Sequence, residues 1–246
     1  MKITILASGS KGNSTLIETG SKNILIDAGL PLINLEKRIE KKLPNIDVLI
    51  ITHTHIDHIK GIKSIIKKYK PIIYTSENDL YEKIPEYQNI KYDKEININN
   101  INISLFPLSH DVPCIGVSLK VESKELVYIT DTGYIKEKIL NKYKNKDIYI
   151  LESNYDPEML TNGSYPFQLK QRIRSDKGHL SNDDASRYLK TLIGEKTKYL
   201  CLAHLSEENN KPEIAKTLIE NTIKETDNNI EKIIICSQNE AICVEI

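Results

Sequence analysis

No apolar run in this 246-residue chain approaches the length needed to cross a membrane. Lys2 is followed only by the short apolar or small stretch Ile3 to Ala7 before the polar segment Ser8 to Ser14, so no secretory signal is expected. A cytoplasmic protein without membrane contact is expected. Charge of one sign is also missing. The 34 basic and 34 acidic side chains cancel, so no global field gathers a polyanion and any nucleic-acid surface must be local. Neutrality favours engagement of an end or a short strand over a long duplex footprint. Cysteine is scarce, with four residues at 114, 201, 236 and 243. They have no paired spacing of ligand type, so all four, including Cys201 near His204, read as reduced thiols in strands. No repeat or linker interrupts the chain beyond the short polar turn Thr226 to Asn229, so residues 1–246 are expected to form one domain around one large core.

What the chain does have is crowded histidine. Six occur in all, and three of them, with an aspartate, fall in the hexapeptide His53-Thr54-His55-Ile56-Asp57-His58. This segment follows the apolar run Asp47 to Ile51. Four imidazole or carboxylate donors in six residues cost little loop entropy to assemble and suit borderline metals such as zinc, manganese or iron. The other candidates sit where strands end. His110 follows the alternating run Ile101 to Leu108, Asp131 follows Leu126 to Thr130, and His204 follows Tyr199 to Ala203. Five histidines and two aspartates are about what two adjacent divalent ions need.

Strand-like segments are Ile3–Ala7, Ser14–Glu18, Asn23–Asp27, Asp47–Ile51, Pro71–Thr75, Ile101–Pro107, Ile115–Val121, Glu125–Ile129, Asp147–Leu151, Lys198–Ala203, Lys232–Cys236 and Ala241–Ile246. Helical periodicity predicts helices over Leu32–Lys41, Ile59–Tyr69, Ile135–Tyr143, Phe167–Ile173, Asn182–Thr191 and Pro212–Lys224. Strand meanders interspersed with helices, in two similar halves, suit a layered α/β sandwich.

The order His-x-His-x-Asp-His, then His110, Asp131 and His204, resembles the metallo-β-lactamase superfamily. Ile24-Leu25-Ile26-Asp27-Ala28-Gly29 is similar to the strand ending in Asp-x-Gly found there. The resemblance implies a four-layer αββα sandwich with two divalent metal ions at one edge. It would give one ion His53, His55 and His110 and the other Asp57, His58 and His204, with Asp131 bridging. Asp27 would be a buried brace for the histidine loop.

Several superfamily chemistries are set aside by absences. His55 is histidine where the oxygen reductases carry glutamate, and no flavin domain is expected. No cysteine stands near Asp131 as in lactamases with a cysteine ligand. The interval from Asp131 to His204 is too short for the extra domain of the RNA-processing and crosslink-repair nucleases.

Two features point to phosphate esters. Lys177-Gly178-His179-Leu180-Ser181-Asn182 places His179 just before a helix whose expected N-cap is Ser181, with Asp184 at capping-box spacing. There His179 and nearby amides are expected to grip a phosphate oxygen or protonate a leaving alkoxide. Arg172 and Arg174, two of only four arginines, lie with Lys170 and Lys177 just upstream and suit phosphate contacts, against the simpler reading of a solvated helix face. Further, Leu151-Glu152-Ser153-Asn154-Tyr155-Asp156, Gly163-Ser164-Tyr165-Pro166, Leu169 to Arg174, Gly178 to Asn182 and the opening Ala7 to Thr15 resemble the bacterial YycJ/WalJ-type branch. Tyr155 departs from it by standing where histidine is expected. That resemblance implies an exonuclease acting on DNA from the 5′ end. The glycine-containing opening is either a tight β-turn or a support at the metal edge. It is not a P-loop, because Thr15-Leu16-Ile17-Glu18 continues as a strand.

The expected activity is therefore phosphodiester hydrolysis by a metal-bridging hydroxide, with Asp57 and Asp131 orienting the nucleophile and His179 as general acid or electrostatic clamp. Arg172, Arg174 and Ser181 are the expected substrate contacts. The alternatives are a small-molecule phosphodiesterase, a thioester or lactone hydrolase, and a metal-stabilised binding module without turnover.

Overall fold

The computed structural model describes residues 1–76, 79–85, 87–91 and 93–246. In chain order the elements are β1 (Lys2–Ala7), β2 (Ser14–Glu18), β3 (Asn23–Ile26), α1 (Leu32–Arg38), β4 (Val48–Ile50), α2 (Ile56–Ile59), α3 (Ile62–Tyr69), β5 (Ile72–Tyr74), α4 (Asp79–Lys83), β6 (Ile90–Lys91), β7 (Glu95–Ile98) and β8 (Ile101–Leu108). They continue as β9 (Cys114–Val121), β10 (Lys124–Ile129), α5 (Glu137–Tyr143), β11 (Ile148–Glu152), α6 (Pro157–Asn162), α7 (Phe167–Arg174), α8 (Asn182–Leu192), β12 (Tyr199–Ala203), α9 (Pro212–Lys224), β13 (Lys232–Ile235) and β14 (Ile242–Glu245). Two seven-stranded mixed sheets result, ordered β14-β1-β2-β3-β4-β5-β6 and β13-β12-β11-β10-β9-β8-β7. The chain divides into two compact units, residues 1–105 with 236–246, and residues 106–235.

In the first unit, apolar side chains of successive strands (Leu6, Leu16, Leu25, Leu49, Ile73) meet a helical stripe from α1 and α3 (Leu35, Ile62, Ile65, Ile66), all buried. Strands β3 and β4 run parallel, with Ile26 beside Ile50. Asp27 and the Ile51–His53 segment therefore leave the sheet at the same edge. Parallel strands deliver functional groups at their carboxyl ends for this reason. In the second unit, α5, α8 and α9 cover Val127, Ile129, Tyr149, Leu151, Leu200 and Leu202. Strands β10, β11 and β12 are parallel, with Ile129 beside Leu151 and Leu151 beside Leu202. That register brings Glu152, the last residue of β11, to a common edge with Asp131 and His204, which lie just past the other two strand ends.

Most expected elements recur with small shifts at their ends. The helix expected over Ile59–Tyr69 is instead two, α2 and α3, broken at Gly61. The Gly61 N–H donates to the Ala28 carbonyl at 2.7 Å, and a Cβ there would lie 1.9 Å from the Leu30 carbonyl oxygen. The short elements α4, β6, β7 and α6 escaped periodicity analysis because two to six residues span too little of a repeat. For α6 a local signal existed, since Asp156 caps the helix by accepting from Glu158 N at 3.1 Å and Met159 N at 2.8 Å, followed by proline at the first position. Among the described residues, no helix is long and apolar enough to cross a membrane.

Candidate metal centre

The first unit gathers the histidine hexapeptide around Asp27. The His53 ring lies 4.7 Å from that of His55 and 4.0 Å from that of His58, between centroids. Asp27 is fully buried and accepts from Thr52 N at 2.8 Å, Thr52 Oγ1 at 2.9 Å and His58 Nδ1 at 2.7 Å. Burial pushes the Asp27 carboxyl up, and the adjacent His58 ring opposes this. Three donors aimed at two oxygens fit the ionised form, so the His58 proton sits on Nδ1 and its Nε2 lone pair points the other way. On that side lie Asn13 Nδ2 at 3.0 Å and Asp57 Oδ2 at 3.4 Å. Asn13 Nδ2 also reaches Asp57 Oδ2 at 3.1 Å, so the Ser8–Ser14 opening is a support at the metal-loop edge as well as a turn. Gly29 explains the Asp-x-Gly pattern: a Cβ there would come within 1.8 Å of the Asp57 carbonyl oxygen and 2.4 Å of Asn13 N. Only glycine lets the two loops approach so closely.

In the second unit, Asp131, Glu152, His179 and His204 bring one ligand atom each within 4.8 Å of one another. Glu152 is the hub. Its Oε1 accepts from His179 Nδ1 at 2.7 Å and His204 Nδ1 at 3.1 Å, and its Oε2 from Thr132 N at 3.1 Å and Leu180 N at 3.2 Å. Burial raises the Glu152 carboxyl, but the charge and hydrogen bonds of His179 and His204 outweigh it and hold the group well below the usual carboxylate range. His204 Nε2 then faces Asp131 Oδ1 at 3.5 Å. Asn154 Nδ2 fixes this loop by donating to the His204 carbonyl at 2.7 Å. His110 donates from Nδ1 to the Gly178 carbonyl at 3.2 Å, and its ring lies 5.3 Å from that of His179. Burial lowers the His110 imidazole, partly offset by the Asp131 charge.

Asp27, Asp131 and His204 adopt the left-handed backbone region, with φ of 59°, 60° and 56°. Each such non-glycine residue costs on the order of 1–3 kcal/mol, and such residues collect where a side chain must be aimed. Asp27 and His204 lie immediately past a parallel strand end, and Asp131 one residue further on.

In each unit the donors are of the kind a divalent ion takes. The Nδ1–H of His58 and of His204 is taken by a carboxylate and that of His110 by a carbonyl, which presents Nε2 as the ligating atom. With Asp57 in the first unit and Asp131 in the second, each set is nitrogen and oxygen throughout, suited to zinc, manganese or iron.

The substrate-side residues fall differently. Ser181 Oγ accepts from Asp184 N at 3.0 Å and donates to Asp184 Oδ2 at 2.7 Å, so it caps α8. Asn182 N donates to the Tyr155 carbonyl, and Asp183 and Asp184 occupy the first turn. The Asn182 and Asp184 amides are thus committed, and the nearby charge is negative. Arg172 pairs with Asp111, and Arg174 bonds the Thr161 hydroxyl. The phenol of Tyr155, the departure from the branch pattern, is buried and pushed up to about 12, first by burial and then by Asp184, so it stays protonated near neutral pH.

Glu152, Thr52 and Asn154 have no site role in the sequence reading, whereas Asn13 lies in the opening that reads there as a turn or a metal-edge support. Glu152 carried a signal, since a carboxylate directly after the apolar run Ile148 to Leu151 ends a buried strand, as Asp131 and His204 do.

The Beta-lactamase superfamily domain profile matches residues 22–204, and the chain belongs to that superfamily. It is 38% identical over 241 residues to the exodeoxyribonuclease WalJ of Streptococcus pneumoniae, covering 92% of this chain and 89% of that protein. To the exodeoxyribonuclease YycJ of Bacillus anthracis it is 33% identical over 237 residues, covering 92% and 90%. The metallo-β-lactamase fold protein YhfI from Bacillus subtilis superposes with a TM-score of 0.76 at 18% identity over 99% of both chains. The fold is the metallo-β-lactamase α/β sandwich.

Proposed function

We propose that this chain is a metal-dependent DNA exonuclease and that residues 1–246 act as one catalytic domain. The observation that carries this is the 33–38% identity, over 92% of the chain, to proteins named exodeoxyribonucleases. The donor geometry of both units supports it. His53, His55 and His110 would hold one ion and Asp57, His58 and His204 a second, with Asp131 available to both. Such a pair of divalent ions would supply hydroxide near neutral pH and positive charge for phosphoryl oxygens.

The side chains divide the remaining work. Asp57 and Asp131 hold and orient the nucleophile. His179, with its Nδ1–H held by Glu152 at 2.7 Å, keeps Nε2 directed outward, from which it protonates the leaving alkoxide or steadies its charge. Glu152 ties His179 to His204, so that one buried carboxylate sets both rings. Ser181 serves the substrate side by fixing the start of α8, two residues after His179. Arg172 and Arg174, with Lys170 and Lys177, supply positive charge along the path of the strand. Digestion from the 5′ end is the direction the branch resemblance implies.

Purified protein loaded with manganese or zinc, given 5′-labelled and 3′-labelled duplex and single-stranded DNA beside bis(p-nitrophenyl) phosphate, tests the proposal. Metal-dependent nucleotide release from one end, abolished by chelator and by His58→Ala, is expected. Cleavage of the small diester alone makes the protein a small-molecule phosphodiesterase. Cleavage of neither sends the search to thioesters and lactones.

A further inference from the structure

The chain has no tryptophan and two phenylalanines. Phe106 is 6% exposed and stacks on Tyr143 at 4.4 Å. Phe167 is 70% exposed, the most exposed large apolar side chain among the described residues. It opens α7, a helix that buries none of its residues. Leu169 and Ile173, four apart, are half-buried, whereas Phe167 and Gln171, also four apart, are exposed. Phe167 therefore stands on the outward face of a helix anchored by its other sides.

The anchoring is polar and specific. Lys170 Nζ donates to the Thr161 carbonyl at 2.9 Å and the Gly163 carbonyl at 2.7 Å. Arg174 bonds the Thr161 hydroxyl, and Arg172 pairs with the Asp111 carboxylate. At its far end the helix is joined to the catalytic segment, because His179 N donates to the Ile173 carbonyl at 2.9 Å. A Cβ on Gly178 would lie 2.1 Å from that same carbonyl oxygen, so the loop to His179 tolerates no slack. The position of Phe167 is thereby fixed relative to His179. Between Gly163 and Gly178 the sequence carries Lys170, Arg172, Arg174 and Lys177 against the single acid Asp176, in a chain whose total charge is zero.

We propose that Phe167 is a stacking platform for a base of the DNA strand whose end is being digested. This rests on the nuclease reading above. A phenyl face on an electropositive, rigidly held helix has the chemistry that single-stranded nucleic acid uses, since every base offers a π-face and the phosphates favour nearby cations. The helix rise puts Phe167 roughly 9 Å along the axis from Ile173. A stacked strand advances about 3.4 Å per nucleotide, so a strand that ran along the helix from the His179 end would meet Phe167 a few nucleotides from the one undergoing cleavage. Phe167 is a binding residue, and the chemistry at phosphorus proceeds without it.

The test uses the full, manganese-loaded chain. Phe167→Ala and Phe167→Trp are compared with wild type on single-stranded oligonucleotides, intact or with one abasic position placed two to five nucleotides from the digested end. Bis(p-nitrophenyl) phosphate serves as the substrate without bases. For Phe167→Ala we expect KM on DNA to rise about tenfold, the effect of losing one base-aromatic stack, with kcat on both substrates little changed and Phe167→Trp restored. One abasic position should raise KM for wild type but not for Phe167→Ala. Unchanged KM on DNA in Phe167→Ala overturns the proposal, as does equal loss on DNA and the small diester, which marks a structural role. Wild-type protein that cleaves the small diester but leaves DNA intact overturns the nuclease reading itself, and the platform with it.

Discussion

Replacing Asp27 with asparagine isolates what the carboxylate does, because the side-chain shape is retained. Asp27 Oδ2 receives two donors, His58 Nδ1 at 2.7 Å and Thr52 Oγ1 at 2.9 Å, while Oδ1 receives Thr52 N at 2.8 Å. In Asp27→Asn the single oxygen stays on the Thr52 amide and an NH2 takes the place of Oδ2. The threonine hydroxyl can rotate to accept, but the imidazole can accept only by moving its proton to Nε2. That tautomer removes the lone pair from the side on which Asp57 Oδ2 lies 3.4 Å away. A hydrogen bond to a buried charge is worth about 1.5–3 kcal/mol. At about 1.4 kcal/mol per tenfold, this corresponds to a loss of roughly 10- to 100-fold in metal affinity, the usual cost of removing such a partner. Competitive titration of zinc or manganese against a chromophoric chelator, with elemental analysis for stoichiometry, reads this directly. Thermal melts in excess chelator separate loss of metal from loss of fold. If Asp27→Asn binds as many ions as wild type with the same affinity, the tautomer-setting role of Asp27 is wrong.

His179→Ala should lower turnover on phosphodiesters by roughly 10²- to 10⁴-fold, the range of a lost general acid, while metal content measured by elemental analysis stays at the wild-type value. Undiminished turnover removes His179 from the chemistry. Asp47 is pushed up by burial, but Lys22 Nζ at 2.8 Å and Asn23 N at 2.9 Å prevail and hold its carboxyl below the usual range. A depressed folded pKa contributes stability above the unfolded value near ~3.9 and loses it as pH falls through the folded one. The stability gap between wild type and Asp47→Asn should thus be about 1 kcal/mol at pH 7 and close in acid. Urea melts in chelator across a pH series check this, and a gap constant down to pH 3 refutes the sign. Ser181→Ala removes the hydroxyl that accepts from Asp184 N at 3.0 Å. It should cost about 1 kcal/mol, or about 2–4 °C in Tm for a chain of this size, by calorimetry of the metal-free protein.

The sequence by itself picked out the candidate metal donors. His53, His55, Asp57 and His58 are crowded within six residues, and His110, Asp131 and His204 each follow an apolar run, because a metal needs donors at strand ends and the chain pattern records both facts. The alternation of strand and helix was legible for the same reason, each element having to hide one face. What only the tertiary structure decided is who holds the donors. Glu152 and Asp131 are 21 positions apart and His204 lies further on, yet the parallel register of β10, β11 and β12 places them together. No local pattern encodes a register between distant strands. Asn13 reaches Asp57 and His58 only because Gly29 admits the loop backbone at close range. Ser181, by contrast, reads in sequence both as the N-cap of α8 and as a substrate contact, and in the folded chain its hydroxyl caps the helix against Asp184. Ligand identity is a property of residue type and spacing. Proton placement and orientation depend on partners that folding alone brings within hydrogen-bonding distance.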